Sequence, residues 1–304
     1  MSVVKAKKQR MKNSISVRNL CIASVCALTM LCGTVSADSG KGSVRKVNIG
    51  IKSGLALVID QESGEVLYSK NTDEVAPIAS ITKLMTAIVI IDSGVPLLET
   101  ITVDKRDIDR YKGSRSKLRV GTRLMRAEAL KLALMASENR ASAALARTFP
   151  GGKEAFVDAM NAKAFELGML NSRFVDSTGL RPENVSTAHD LALLVAAAHD
   201  YPMIRDYTTA SSFAVESPGR RGRTTVLRFV NSNRLVRSSR WEIGLSKTGY
   251  ISEAGRCLVM QSRIAGRPLI IVLLDSWGRL TRIGDANRIR RWVEREFSDL
   301  SVRG

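Results

Sequence analysis

At 304 residues, 44% hydrophobic and 25% charged, the chain is too long for a disulfide-stapled mini-protein and too apolar for a disordered one. It is long enough for one large domain or two ordinary ones around a substantial core. Lys and Arg outnumber Asp and Glu by 47 to 29, a net +18 that points to an anionic partner or a heavily solvated surface.

The first 37 residues contain no Asp or Glu. Lys5, Lys7, Lys8, Arg10, Lys12 and Arg18 make a positive start, Leu20 to Cys32 is apolar, and Val35, Ser36 and Ala37 are small or nearly so. The pattern predicts a Sec-type signal peptide over residues 1–37, cleaved after Ala37 and started from Met1 or Met11, and hence a periplasmic protein. The apolar run is short of the about 20 residues that a lone spanning helix needs, so no membrane segment is expected in the mature chain. Bulky Met30 and Leu31 before Cys32 disfavour lipid attachment. Cys21, Cys26 and Cys32 leave with the signal, so only Cys257 stays and no intramolecular disulfide is expected. In its apolar run Cys257 reads as a small buried hydrophobe.

Residues 38–50, rich in Ser, Gly and Lys, read as a flexible tail, and 51–304 as the functional domain. Leu55 to Asp60 and Val66 to Tyr68, separated by Glu62-Ser63-Gly64, predict a β-hairpin. Ser80 to Ile91, apolar nearly all round, predicts a helix through the centre of the molecule. Helices follow over Ala127 to Met135, Ala141 to Arg147, Lys153 to Gly168 and Ala188 to Ala198, the last opened by a capping box of Thr187 and Asp190. Three strands, Ile243 to Tyr250, Arg256 to Ile264 and Pro268 to Leu274, then form a meander. A final helix, Asp285 to Phe297, carries Ala286, Ile289, Val293 and Phe297 on one face for packing on a sheet. The expected fold is α+β: an antiparallel sheet of about five strands flanked by helices, with an all-helical lobe. Two stretches concentrate the positive charge, Lys105 to Lys131 with ten Lys or Arg, and Arg220 to Arg240 with seven Arg and no acid. In an exported protein they suit an anionic envelope polymer better than nucleic acid, or a solvated surface.

Three short motifs stand in order: Ser80-Ile81-Thr82-Lys83, Ser137-Glu138-Asn139 and Lys247-Thr248-Gly249. Each alone is cheap; together, one opening an apolar helix, one between helices and one ending a strand, they are specific. On a helix Ser80 and Lys83 share a face one turn apart, and the dipole at the helix start favours a developing Ser80 alkoxide. Lys83 is a base only when neutral, and two causes could depress its pKa: burial, and repulsion from Lys247. Ser137 would relay a proton between Lys83 or Lys247 and a leaving amine, and Asn139 would hold substrate and Lys83. Lys247 and Thr248 offer a charge and a hydroxyl to a substrate carboxylate, and Gly249 leaves room for a substrate strand. The backbone N–H groups of Ser80 and Tyr250 would form an oxyanion hole.

These motifs resemble those of penicillin-binding proteins and serine β-lactamases. The stretches Pro77 to Ala87, Leu134 to Ala141, and Leu167 to Asn171 with Phe174 and Thr178-Gly179-Leu180 are similar to low-molecular-mass DD-peptidases of the S11 type. Lys247 to Tyr250 followed by Ala254 to Met260 resembles the D-alanyl-D-alanine endopeptidases of the penicillin-binding protein 7 group, over about residues 50–295. The resemblance implies a β-lactamase/transpeptidase-like fold. It also implies acyl transfer from a D-Ala carbonyl to Ser80, hydrolysis of peptidoglycan stem peptides and cross-links, and covalent inhibition by β-lactams, with no metal or other cofactor. The carboxypeptidase branch usually carries a further β-domain and an amphipathic anchor. After Gly249 there is room here for two strands and a helix only, which favours cleavage of D-Ala–diaminopimelate cross-links over trimming of pentapeptides.

A class A β-lactamase would need a Glu for deacylation; Glu166 with Leu170-Asn171 comes near that pattern, but its spacing is one residue too long. His189 and His199 share one predicted helix and fit no Ser-His-Asp arrangement. A zinc site lacks ligands in the mature chain. A non-catalytic peptidoglycan-binding protein is disfavoured because all three motifs keep their reactive residues.

Overall fold

The computed structural model describes residues 48–219 and 223–298. The expected signal peptide and nearly all of the expected tail lie outside them. The tail ends slightly sooner than expected, since Ile49 already packs on the core. The Asp285 carboxylate accepts from the backbone N–H groups of Lys52 and Ser53, which fixes the start of the fold.

Strand β1 (Leu55–Asp60) turns into β2 (Val66–Lys70), the Asp60 carboxylate holding the turn through the N–H groups of Glu62 and Ser63. The short β3 (Ala76–Pro77) leads through a 3-10 turn over Ala79–Thr82 into helix α1 (Lys83–Asp92). Strands β4 (Thr100–Thr102) and β5 (Arg123–Met125) pair beside α2 (Arg126–Met135), α3 (Asn139–Arg147) and α4 (Gly152–Glu166). Then β6 (Val185–Ser186) pairs back with β3 and precedes α5 (Ala188–Asp200) and α6 (Pro202–Thr209). A hairpin of β7 (Ser212–Pro218) and β8 (Thr224–Val230) follows. The meander β9 (Glu242–Ile251), β10 (Gly255–Ile264) and β11 (Arg267–Ser276) ends at helix α7 (Thr281–Ser298).

The hairpin and the meander form one antiparallel sheet in the order β2-β1-β11-β10-β9, the five-stranded sheet expected. Its central strands bury both faces, which is why they read as unbroken apolar runs. Leu55, Leu57, Val259, Ile270 and Val272 face one core with α1 and α5; Ala56, Val58, Leu258, Met260, Ile271 and Leu273 face another with α7. The α7 stripe of Ala286, Ile289 and Val293 is buried there, with Phe297 packed on its edge. Helix α1 runs through the centre, Leu84 to Ile90 all buried. Cys257 is buried in β10, its thiol donating to the Ala254 carbonyl, and burial pushes its pKa up to about 12.

Three local readings change. The capping box of α5 is half present: Thr187 accepts from the Asp190 N–H, but the Asp190 carboxylate turns to the Asn171 N–H and the Ser172 hydroxyl, tying down the preceding loop. Helix α6 and the β7–β8 hairpin fill a segment left unassigned. The basic stretch before residue 131 is partly inward: Arg126 is buried, ion-paired with Glu99 and bonded to the Thr148 hydroxyl. Lys117 and Arg119 donate to the carbonyls of Arg228 and Pro218, stitching their loop to the hairpin.

Candidate active site

The Ser80 hydroxyl sits in the 3-10 turn before α1, one residue after Ala79, whose φ of 47° is a left-handed conformation rarely taken by Ala. Such a residue costs about 1–3 kcal/mol and must be held by its surroundings. Two glycines do so. A Cβ on Gly179 would fall 1.9 Å from the Ala79 carbonyl oxygen, and one on Gly249 would fall 3.0 Å from the Ile78 oxygen and 3.1 Å from the Ser80 nitrogen. The expectation that Gly249 makes room for substrate is therefore amended: its bare Cα first lets β9 reach the nucleophile's own backbone.

Lys83 follows in the first turn of α1, fully buried. Its ammonium donates to Ser80 Oγ at 2.8 Å, to Asn139 Oδ1 at 2.8 Å, and to the Thr178 carbonyl. Ser80 Oγ itself donates to that carbonyl at 3.3 Å. The loop supplying it is shaped by Asp176, whose carboxylate accepts from the N–H groups of Thr178, Gly179 and Arg181. Asn139, first residue of α3, has its amide oriented by a bond from Nδ2 to Ser114 Oγ at 2.9 Å, which leaves Oδ1 for Lys83.

Ser137 joins α2 to α3 with a φ of 58°, a second strained residue at the site. Its hydroxyl accepts from Lys247 Nζ at 2.8 Å. Lys247, on the edge strand β9, also donates to the Thr248 carbonyl at 2.9 Å. The Thr248 hydroxyl donates to Ser232 Oγ at 2.7 Å. Since the donors of Lys83 are taken by Ser80, Asn139 and Thr178, the lysine in contact with Ser137 is Lys247.

Burial brings the pKa of Lys83 down to about 7, against the opposing pull of the Asp176 and Glu138 carboxylates. Burial also holds Lys247 well below the usual lysine range, and the charges of Lys83 and Arg282 push it further down. Burial is thus the largest cause at both amines, and the repulsion expected between them adds to it at Lys247. Glu138 caps α3 through the Arg140 N–H and accepts from Ser116 Oγ at 2.6 Å; burial raises its pKa.

The structure gathers Ser80, Lys83, Ser137, Asn139, Lys247, Thr248 and Gly249 into one cleft. Tyr250 continues β9 beside them, its ring exposed against the Arg256 guanidinium at 4.3 Å. Sequence reasoning gave no role to Asp176, Glu138, Ser114 or Arg282, the last donating to the Gly249 carbonyl at 3.2 Å. Thr178 and Gly179 had been marked only as likenesses. Arg282 lies outside any motif and reaches the site because α7 packs behind the sheet. Glu166 ends α4 in an ion pair with Lys163, its side chain 66% exposed, as a solvated residue would be.

A family model described as peptidase S11, D-alanyl-D-alanine carboxypeptidase, matches residues 42–278. A D-alanyl-D-alanine endopeptidase of Pseudomonas aeruginosa is 49% identical over 244 residues, covering 80% of this chain and 78% of that protein. One of Escherichia coli is 46% identical over 245 residues, with the same coverage of 80% and 78%. Among solved structures, the Streptomyces K15 DD-transpeptidase superposes with a TM-score of 0.73 at 26% identity, covering 80% of this chain and 97% of that one.

Proposed function

The chain belongs to the peptidase S11 family of D-alanyl-D-alanine carboxypeptidases, and on that premise we propose that it is an exported DD-endopeptidase acting on peptidoglycan cross-links through an acyl-enzyme on Ser80. The observation that carries this is the 2.8 Å bond between Ser80 Oγ and a fully buried amine whose pKa is about 7. Once deprotonated, Lys83 keeps two N–H bonds, for Asn139 Oδ1 and the Thr178 carbonyl, and turns its lone pair to the Ser80 proton.

Ser80 Oγ attacks the D-Ala carbonyl carbon as its proton passes to Lys83 Nζ, and the carbonyl oxygen becomes the anion held by the N–H groups of Ser80 and Tyr250. The C–N bond then breaks. Ser137, bonded to Lys247, hands a proton to the departing amine, leaving the ester on Ser80. Lys247 restores the Ser137 proton and regains its own from solvent, while Lys83, with a pKa of about 7, gives up to solvent the proton it took from Ser80. A water then passes a proton to the neutral Lys83 as it attacks the ester carbon, and Lys83 returns that proton to Ser80 Oγ as the C–O bond breaks and the product acid leaves. The carboxylate beside the scissile bond is held by Thr248 Oγ1, Lys247 and Arg282. Its negative charge reverses the field that lowers Lys247 and helps that lysine hold a proton for the leaving group. A β-lactam acylates the same serine and leaves no separate amine to depart.

Endopeptidase specificity is favoured by the identity to the two endopeptidases over carboxypeptidase trimming of pentapeptides, which uses the same groups. Export to the periplasm is favoured by the basic-apolar-small pattern of residues 1–37. The test is to incubate the mature protein with a fluorescent penicillin, with cross-linked muropeptide dimers and with monomeric pentapeptides. We expect a covalent adduct lost in Ser80→Ala and conversion of dimers to monomers. Sustained penicillin turnover would indicate a β-lactamase, absence of reaction a binding module, and release of D-Ala without monomerisation a carboxypeptidase.

A further inference from the structure

A second cleft, of roughly 550 Å³ and open to solvent, adjoins the reacting groups and is lined by Ser232, Arg234, Arg256, Arg279 and Arg282 with Leu280 and Ile283. It is continuous with the site, because Ser232 accepts from the Thr248 hydroxyl and Arg282 donates to the Gly249 carbonyl. No Asp or Glu lines it. Among the described residues, none of the four arginines is in an ion pair. Arg282 Nε is buried without a hydrogen-bond partner.

Four guanidinium groups around one void repel one another, and among the described residues no ion pair offsets them. The cleft on the other flank, which shares Asn139 and Thr178 with the site, is different. There Arg106, Arg110, Lys153 and Arg181 are interleaved with Asp107, Asp109 and Asp176. The unbalanced charge is therefore local to one side of the nucleophile, the side of Thr248 and Arg282.

We propose that the arginine cleft is the subsite for the leaving stem peptide, and that Arg234 and Arg279 are specificity determinants that read carboxylates on it. This inference rests on the endopeptidase reading above. Thr248, Lys247 and Arg282 suffice for the single carboxylate beside the scissile bond. A released D-alanine ends there, carries no other negative charge and would fill a small part of the void. The amine side of a cross-link is instead an amino acid attached to a second acidic peptide, whose further carboxylates need cationic partners beyond the first. Arg234 and Arg279, both exposed, are placed to meet them.

The experiment measures kcat and KM of the mature protein and of R234A/R279A on three substrates. These are a cross-linked dimer, the same dimer with the leaving-stem carboxylates amidated except the one beside the scissile bond, and a monomeric pentapeptide. For the double variant we expect kcat/KM on the free-acid dimer to fall about tenfold, mostly through KM, as for loss of two charge pairs at a rim. Wild type should lose a similar factor on amidation, with no further loss in the variant, and penicillin acylation should stay at the wild-type rate. R234K/R279K should recover part of the loss. An equal loss on free-acid and amidated dimers, or none on either, overturns the inference while leaving the endopeptidase reading intact. A wild type that cleaves pentapeptide but no dimer sinks both.

Discussion

The two lysines of the cleft are equally buried yet sit in opposite fields. Around Lys83 stand two carboxylates, Asp176 and Glu138; around Lys247 stand two cations, Lys83 and Arg282. Burial lowers the pKa of both, but for Lys83 the carboxylates limit the fall to about 7, where the amine exchanges its proton freely at neutral pH. Lys247 has no such support until an anion arrives. The acidic side of the site is thus built to move a proton and the basic side to wait for a charged ligand, with the same residue type at both places.

The strongest way to break this contrast is Lys83→Met, which keeps the buried volume and removes the base. Acylation by a fluorescent penicillin, followed by stopped flow, should slow by about 10²- to 10⁴-fold, the usual worth of a positioned general base. A change below tenfold would assign the proton to another group. Next is Arg282→Ala on the basic side. Losing a charged hydrogen bond to the substrate carboxylate, worth about 1.5–3 kcal/mol, should raise KM by about 10- to 100-fold with kcat less affected. Arg282→Lys should recover part of it.

The acidic side is sharpened by pH. Because Lys83 must lose its proton, acylation should rise with pH through about 7. Both carboxylates raise that pKa, so Glu138→Gln and Asp176→Asn should each move the rising limb to lower pH, with the plateau largely kept for Glu138→Gln. A limb that stays in place, or moves to higher pH, would remove the carboxylates from the account. The smallest effect is expected for Glu166→Gln: with its carboxylate exposed and paired to Lys163, deacylation should change less than about twofold, within the range of a surface substitution.

Much of this was legible in the sequence where the chemistry is local. The apolar runs of β1, β10 and β11 announced strands, and Ser80 with Lys83 at one helical turn announced a shared face. What was hidden depends on the fold closing. Nothing in Asp176-Ser177-Thr178 shows that a carbonyl there will receive both the nucleophile and its base, and Arg282 needs α7 docked behind the sheet to reach Gly249. The β7–β8 hairpin was missed for a different reason. Its arginines drew attention as a patch, while the inward alternation of Phe213, Val215, Leu227 and Phe229 was present but masked. The repulsion expected between the lysines adds to burial at Lys247, while the carboxylates of Asp176 and Glu138 that hold Lys83 up could not be placed beside it without the fold.

Cys257 carries a practical consequence. In a preparation begun after Ala37 it is the sole thiol, sealed inside β10 with its proton held far above neutral pH. An alkylating reagent can reach it only when the central sheet opens, so its rate of modification clocks that opening. The same measurement on a penicillin-labelled sample would report how much an acyl group on Ser80 tightens the whole scaffold.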